Sequence, residues 1–138
     1  MTTFKLKMQM PSESSEGAAL MRWKAAAMRQ HPDLRLLFHV PNGGAREIQT
    51  AARLKREGVV PGVPDYFLLV PRHEYHGMAI ELKRRDGGVL SASQITMMEL
   101  LSYHGYYVVI ANGWESARDL ILQYLHDGLG NERARIVD

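Results

Sequence analysis

The stretch that decides the fold is Gly62-Val63-Pro64-Asp65-Tyr66-Phe67-Leu68-Leu69-Val70, followed after a polar connection by Met78-Ala79-Ile80-Glu81-Leu82-Lys83-Arg84. The apolar run from Tyr66 to Val70 is typical of a strand that is covered on both faces. The second segment alternates between apolar and charged residues, so the side chains of Glu81 and Lys83 leave the same face of a strand. These segments therefore predict two strands that carry charged groups near their ends.

Asp65 stands where a proline-stiffened loop enters the first of these strands. If the two strands pair as a hairpin, Asp65 lies opposite Glu81. Two carboxylates a few ångströms apart repel each other, and both stay ionised only with a cation between them. Mg²⁺ suits such a site, because it prefers oxygen ligands and takes one or two carboxylates plus substrate phosphate. The ammonium group of Lys83 would lie beside this metal, placed to orient or deprotonate water or to offset phosphate charge.

A plainer interpretation exists for each part of this pattern. Glu and Lys two residues apart on a strand are usually a solvated face. Histidine is a common metal ligand, but His73 and His76 have no third ligand nearby in the sequence. They are more consistent with an ordinary loop.

Outward from this centre, periodicity predicts an α/β protein with a mixed sheet of about four strands. Residues 4–10 alternate and predict a strand or a pairing arm. We expect an arm at 1–11, one domain at 12–127 and a flexible tail at 128–138. The predicted helices are 13–30, 46–57, 91–104 and 116–125, and the predicted strands are 36–40, 66–70, 78–84 and 106–111.

Composition excludes several classes of protein. A chain of 138 residues is the length of one domain. The absence of cysteine excludes a disulfide framework, a thiolate zinc site, an iron–sulfur cluster and a cysteine nucleophile. No apolar run reaches the roughly 18 residues that a membrane span needs, so we expect a soluble, cytoplasmic protein without membrane contact.

The first predicted helix carries a carboxylate on its apolar stripe. Glu16 precedes Leu20, Trp23 and Ala27 at spacings that place all of them on one face. Glu13 lies about 50° off that line at 100° per residue. A carboxylate on a core-facing stripe needs a partner.

Basic residues bracket the proposed metal site in the sequence. On a chain of net charge +2, such clustering favours contact with the phosphate backbone of DNA. The segment from Asn42 to Arg46 either presents backbone N–H groups and Arg46 to a phosphate or is an ordinary turn. The candidate contacts are Asn42, Arg46, Arg53, Lys55, Arg56, Lys83, Arg84 and Arg85.

Pro64-Asp65 and Glu81-Leu82-Lys83 together resemble the PD-(D/E)XK nuclease signature. The chain from about Glu16 to Leu125 is similar to the virus-type replication-repair nuclease (VRR-NUC) domain. The resemblance implies a restriction-endonuclease-like core, in which a helix, three strands, a helix and a fourth strand form a mixed central sheet with flanking helices. The further matching segments are His39–Gly44, Gly58–Asp65, Ser93–Gln94 and Gly105–Tyr106.

The same resemblance implies roles for individual residues. Asp65 and Glu81 would bind the catalytic Mg²⁺, for which Mn²⁺ would substitute, and the backbone carbonyl of Leu82 would be a further ligand. Glu16 would reach the metal directly or through water. Lys83 would be the catalytic lysine, and Gln94 the helix glutamine near the site.

We therefore expect a metal-dependent DNA endonuclease that selects four-way junctions or other branched DNA in replication, recombination or repair. Stand-alone members of the family resemble dimeric junction-cleaving enzymes, so the resemblance also implies a homodimer in a bacterial or phage-infected cell. A non-catalytic DNA-binding or scaffold domain of the same fold remains an alternative. A nuclease or nickase that acts on plain duplex or flap DNA is another.

Overall fold

The computed structural model describes residues 10–41 and 48–126, apart from the side chains of residues 48 and 49. The predicted strand at 4–10 and the predicted tail therefore lie outside the described residues, except for Met10. The candidate DNA contacts Asn42 and Arg46 lie outside them as well.

The elements follow the predicted order of helix, strand, helix, two strands, helix, strand and helix. A 3₁₀ helix at Pro32–Leu36, which the sequence analysis missed, joins the first helix to the first strand. The elements are α1 (Glu13–Ala27), β1 (Leu37–His39), α2 (Ile48–Arg56), β2 (Tyr66–Leu68), β3 (Met78–Lys83), α3 (Ala92–Tyr103), β4 (Tyr107–Asn112) and α4 (Trp114–His126).

The four strands form one mixed sheet in the order β1-β2-β3-β4. β1 and β2 are antiparallel, as are β2 and β3, whereas β3 and β4 are parallel. Helix α3 forms the crossover that the parallel pair requires. The predicted α/β restriction-endonuclease-like architecture is confirmed.

Strands β1 and β2 are each shorter than predicted by more than one residue, for local reasons, and β3 ends one residue early, at Lys83. Pro32 favours the first turn of a helix, so Leu36 belongs to the 3₁₀ helix and β1 begins at Leu37. β2 ends at Leu68, although the N–H of Leu69 still bonds the carbonyl of Leu36 at 3.1 Å. Pro71 has no N–H and cannot extend the ladder beyond this point.

The sheet separates two layers of apolar side chains. Helices α1 and α4 cover one face with the larger cluster, and α3 covers the other face with a smaller one. Fully buried members of the larger cluster include Leu20, Leu34, Leu68, Ile80, Ile121 and Tyr124, and the smaller cluster is built on Ala79, Met98 and Val108. Within the described residues, no helix is long and apolar enough to span a bilayer.

Candidate functional site

The β2–β3 hairpin brings Asp65 and Glu81 together. The register pairs Tyr66 with Ile80, so the preceding residue Asp65 falls opposite Glu81, as the sequence predicts for a hairpin. Asp65 is held by hydrogen bonds at both its side chain and its backbone. Its Oδ2 accepts from the N–H of Leu82 at 2.9 Å, and its carbonyl accepts from the N–H of Val40 at 2.7 Å.

The carboxyl group of Glu81 is buried, with 2% of the residue exposed. Its Oε1 accepts a 2.8 Å hydrogen bond from Nε2 of Gln94, whereas its buried Oε2 has no hydrogen-bond partner among the described residues. Burial, and then the charge of Asp65, raise the pKa of Glu81 to about 8 against the opposing effect of Lys83. The pair therefore needs a proton or a cation to balance its charge.

Lys83 lies beside this pair and is only 6% exposed. Its Nζ lies 3.5 Å from Oε1 of Glu81 and 3.9 Å from Oε1 of Glu13. The aliphatic stem of Lys83 packs against Gly88, where an added Cβ would lie 3.0 Å from Cδ of the lysine. Because Glu81 and Lys83 are both buried, the interpretation of this strand as a solvated face is wrong.

Gln94 orients Glu81 from the start of α3. Ser91 and Gln94 form a capping box, in which Oγ of Ser91 accepts from the N–H of Gln94 and Oε1 of Gln94 accepts from the N–H of Ser91 at 2.8 Å. Since the amide oxygen is used by the cap, the NH₂ group is left to face Glu81. Gly62, at φ 86°, packs directly on the backbone of Ser93, where a Cβ would collide with the carbonyl group.

The structure places Glu16 in a network that joins α1 to α4. Its inward orientation is confirmed, since the residue is 1% exposed. Its Oε1 accepts from Nε of Arg85 at 2.7 Å, and its Oε2 accepts from the N–H of Trp114 at 2.7 Å. Both oxygens of Glu16 are thus used by protein groups, while its predicted role at the metal stays a prediction.

Arg85 is the cation of this network rather than a free surface residue. Besides Glu16 it contacts Glu115, with Nη2 lying 2.8 Å from Oε1. The hydrogen bonds that Arg85 donates to Glu115 and Glu16 raise the pKa of Arg85, and the bond to Glu115 lowers the pKa of that glutamate. No pattern in the sequence indicates that Glu16 and Arg85, predicted to contact metal and DNA respectively, meet across 69 residues.

The α1 carboxylate that lies near Asp65 is Glu13. It borders the same cleft as Asp65, and it contacts Lys83. Helical spacing places Glu13 and Glu16 on adjacent faces of α1. Only the packing of α1 in the fold determines that Glu13 faces Lys83 and the cleft, whereas Glu16 faces Arg85 and Trp114.

The remaining basic candidates that the structure describes lie at the surface. Arg53 lies 3.9 Å from Glu57, and Arg84 lies 3.4 Å from Asp86, both as exposed ion pairs. Such pairs contribute little, so either arginine can exchange its partner for a phosphate at small cost. Their contact with DNA stays a prediction.

His73 and His76 contact separate parts of the protein. Nε2 of His73 lies 2.7 Å from the carbonyl oxygen of Tyr124, and the ring of His76 contacts Tyr106. Within residues 10–41 and 48–126, no three His, Asp or Glu side chains are grouped closely enough to hold a metal ion by themselves.

A cleft of about 550 Å³ opens beside Asp65, between α1 and the ends of β1 and β2. Its residues His39 and Tyr66, to which no role was assigned from the sequence, have their rings 4.8 Å apart across the β1–β2 pair. Their proximity depends on the register of β1 on β2, which no local pattern in the sequence reveals.

Comparisons with known proteins agree with this architecture. Neither a family model nor a curated protein matches the sequence. Among solved structures, a VRR_NUC domain protein superimposes with a TM-score of 0.72 at 27% identity, over 94% of this chain and 100% of that chain. The similarity thus extends over nearly the whole chain rather than over the Asp65 and Glu81 motifs alone.

Proposed function

We propose that this chain, a nuclease-family domain of VRR-NUC type, is a metal-dependent endonuclease that hydrolyses phosphodiester bonds in DNA. Four-way junctions or other branched molecules are its proposed preferred substrates. One observation carries the proposal, namely the half-buried Asp65 beside the buried Glu81. One oxygen of Glu81 has no partner among the described residues, and an ammonium group lies 3.5 Å from its other oxygen.

The chemistry of these groups fits a hard divalent cation. An unpartnered buried oxygen is costly, and coordination to a cation would remove that cost. Mg²⁺ commonly takes one or two carboxylates and completes its shell with water and substrate phosphate. Asp65 and Glu81 would hold the ion, with the backbone carbonyl of Leu82 as a further ligand by resemblance. When bound, the metal would act as a Lewis acid and lower the pKa of a coordinated water.

The chain's own side chains supply the rest of the chemistry. Lys83, fixed between Glu81 and Glu13, would orient the attacking water and offset charge on the phosphate. Gln94 keeps Oε1 of Glu81 occupied, which leaves Oε2 for the cation. Exposed basic residues, including Arg53 and Arg84, would neutralise the backbone of bound DNA.

The test is cleavage of a panel of DNAs by the purified protein. A four-way junction, a flap and a plain duplex are each incubated with Mg²⁺, with Mn²⁺ and with a chelator. We expect metal-dependent cutting that is fastest on branched DNA. Asp65→Asn and Glu81→Gln should abolish cutting, because each variant removes a carboxylate that would hold the cation. DNA binding should be retained, because each variant also removes a negative charge near the phosphate.

The matched control is Asp119→Asn, which changes an exposed carboxylate on α4. It should cut like the wild type. Retention of more than about a few per cent of activity by Asp65→Asn or Glu81→Gln would contradict the metal assignment. Binding of every DNA without cutting under any metal condition would instead establish the non-catalytic alternative.

A further inference from the structure

The solvent side of α1 carries two arginines in line with each other. Ala18, Arg22, Ala25 and Arg29 follow at spacings of four, three and four residues, which places them on one side of a helix. All four are exposed. Arg29 lies just beyond the end of α1, in a turn whose following N–H groups still bond the carbonyl of Ala27. We call these four exposed residues the basic face of α1.

The charge on the basic face is not balanced by carboxylates. Between Gly17 and Pro32 the sequence contains no Asp or Glu. Among the described residues, neither Arg22 nor Arg29 has an ion-pair or hydrogen-bond partner. Lys24, the other cation of this helix, is occupied, because its Nζ donates a 2.6 Å hydrogen bond to a backbone carbonyl of β1.

Other arginines of the protein differ in this respect, since each of them forms an ion pair with a carboxylate. They are Arg53, Arg72, Arg84, Arg85 and Arg118. An anion that binds one of these side chains must displace a carboxylate or share the guanidinium with it. On the basic face an anion meets a free guanidinium.

The basic face begins beside the candidate metal site. Ala18 lines the same cleft as Asp65. A rise of 1.5 Å per residue places Arg22 about 6 Å and Arg29 about 16 Å beyond Ala18 along the helix axis. Carboxylates thus border the position proposed for the cation, and unpaired arginines follow one turn away. A DNA strand meets this order of charges if its reacting phosphate lies at the metal and the next phosphates lie along α1.

The composition of the basic face favours a phosphate backbone over other partners. It carries no large apolar side chain, whereas membrane-binding helices and the centres of protein interfaces present such residues. Arginine binds phosphate through two parallel N–H donors. Arg22 and Arg29 lie about 10 Å apart along the axis, and duplex DNA carries one negative charge for about every 1.7 Å of its length. One duplex arm can therefore contact both.

We propose that Arg22 and Arg29 bind phosphates of the duplex arm that flanks the cut, so that α1 sets the direction in which this arm leaves the metal site. The inference rests on the proposed function and deepens it, because it names the surface that holds the DNA beside the reacting phosphate. None of the basic candidates named from the sequence lies on α1.

The salt dependence of DNA binding tests the proposal. Affinity for a duplex and for a four-way junction is measured by fluorescence anisotropy between about 50 and 200 mM salt. Ca²⁺ at a fixed concentration, an oxygen-liganded cation, replaces Mg²⁺. Each phosphate contact adds about 0.9 to the slope of log affinity against log salt concentration. We expect Arg22→Ala and Arg29→Ala each to reduce the slope by about 0.9, and the double variant by about twice as much.

Two matched controls separate the local contact from charge and folding. Arg22→Lys keeps the positive charge and should retain most of the slope. Arg118→Ala removes an arginine of α4 that is already paired with Asp119, and it should leave the slope unchanged. The double variant should cut at the wild-type rate at saturating DNA, because neither arginine touches the reacting atoms. Thermal melting of each variant confirms that it is folded.

Equal slopes for the wild type and the double variant would overturn the proposal, even in a protein that cuts DNA. An equal loss of slope in Arg118→Ala would overturn it as well, because any surface charge would then suffice. A reduced slope in a double variant of a protein that cuts no DNA in Mg²⁺ would retain the basic face and refute the proposed nuclease activity. Failure of the wild type to bind either DNA would overturn both.

Discussion

Gln94 donates a 2.8 Å hydrogen bond to Glu81 while its own amide oxygen serves the cap of α3. One side chain therefore caps the start of the helix and also orients the buried carboxylate of Glu81. The stability of α3 and the orientation of Glu81 can be separated by substitution, because the cap uses the oxygen and the site uses the nitrogen.

Gln94→Glu should lower the cleavage rate while leaving the helix capped. Glutamate is equally suited to this position of a capping box, but it has no N–H to donate to Glu81. Hydrogen bonds to charged groups contribute about 1.5–3 kcal/mol, so we expect a loss of about 10- to 100-fold in single-turnover rate. The melting temperature should fall, because the new carboxylate lies beside the buried Glu81 and repels it, even though the cap is retained.

Ser91→Ala is the matched control for this prediction. It removes the capping hydroxyl, at a cost of about 1 kcal/mol in the free energy of unfolding. The backbone N–H that orients Gln94 is retained, so the cleavage rate should stay near that of the wild type. A rate loss in Ser91→Ala as large as in Gln94→Glu would mean that the cap, rather than the amide, controls Glu81.

Glu81 should make the metal-free protein less stable as pH rises. Its pKa is raised to about 8 from the ordinary 4.5, so the folded state holds a proton that the unfolded state has lost between these values. The stability that protonated Glu81 contributes to the folded state is fully present below about pH 4.5, and it is lost as pH rises through about 8. Glu81→Gln, which mimics the protonated acid, should lack this loss.

Thermal melting in a chelator from about pH 5 to pH 9 measures the effect. The melting temperature of Glu81→Gln should exceed that of the wild type by a margin that grows with pH. Added Mg²⁺ should stabilise the wild type more than the variant at high pH, because the cation replaces the proton. Parallel pH curves for the two proteins would contradict a raised pKa in Glu81.

Glu16 and Glu13 should respond differently to neutralisation. Glu16→Gln weakens the bond to Arg85 and leaves an amide against the N–H of Trp114, so we expect a loss of about 1–3 kcal/mol in the free energy of unfolding. Glu13→Gln, at an exposed helix start beside Lys83, should leave stability nearly unchanged. It should instead alter the Mg²⁺ concentration that gives half-maximal cleavage.

Chemical denaturation and a Mg²⁺ titration of cleavage together decide between the two glutamates. A raised Mg²⁺ requirement in Glu16→Gln at unchanged stability would support its predicted place at the metal. In that case Arg85 would have to release Glu16 when the metal binds.

Lys83→Ala should reduce the rate at saturating DNA by about 100-fold with little change in affinity, because the ammonium group acts on the reacting phosphate. Lys83→Arg should not restore the rate. A guanidinium is larger and keeps its proton, and the stem is already packed against Gly88. Lys55→Ala, at an exposed basic position, should show the opposite pattern of weaker binding at a normal saturated rate.

The sequence predicted this site because its central part is local. Asp65, Glu81 and Lys83 lie on one hairpin, and strand alternation fixes which side chains share a face. Ser91 and Gln94 are also a local signal, since a capping box lies within one helical turn. Patterns of this kind depend only on neighbours along the chain.

The surroundings of the site could not be predicted, because they depend on how separate elements pack. The meeting of Glu16 with Arg85 requires α1 and the end of β3 to be placed together in space. The ring contact of His39 with Tyr66 requires the register of β1 on β2. Neither relationship leaves a periodicity in the sequence.

The last prediction concerns assembly, and we expect the active protein to be a homodimer. A compact domain of this length has a radius of gyration of about 14 Å, so one chain offers one metal site and about one turn of DNA contact. Paired cuts in a junction then need two subunits or two visits. Strand β1 lies at an edge of the sheet, and Leu36, Phe38 and Leu69 are each more than 40% exposed there.

Light scattering at micromolar concentration should give about twice 15.6 kDa. Deletion of residues 1–11, which keeps the Ser12 cap of α1, should shift the mass towards the monomer if the alternating segment from Phe4 to Met10 pairs with the partner. Phe38→Asp should do the same if the exposed patch at β1 forms the contact instead, because it places a charge within apolar surface.

The variant that dissociates the dimer should also lose paired cutting while retaining single nicks. A monomeric full-length protein that still makes paired cuts in a four-way junction would contradict the dimer, because one metal site would then suffice for both strands.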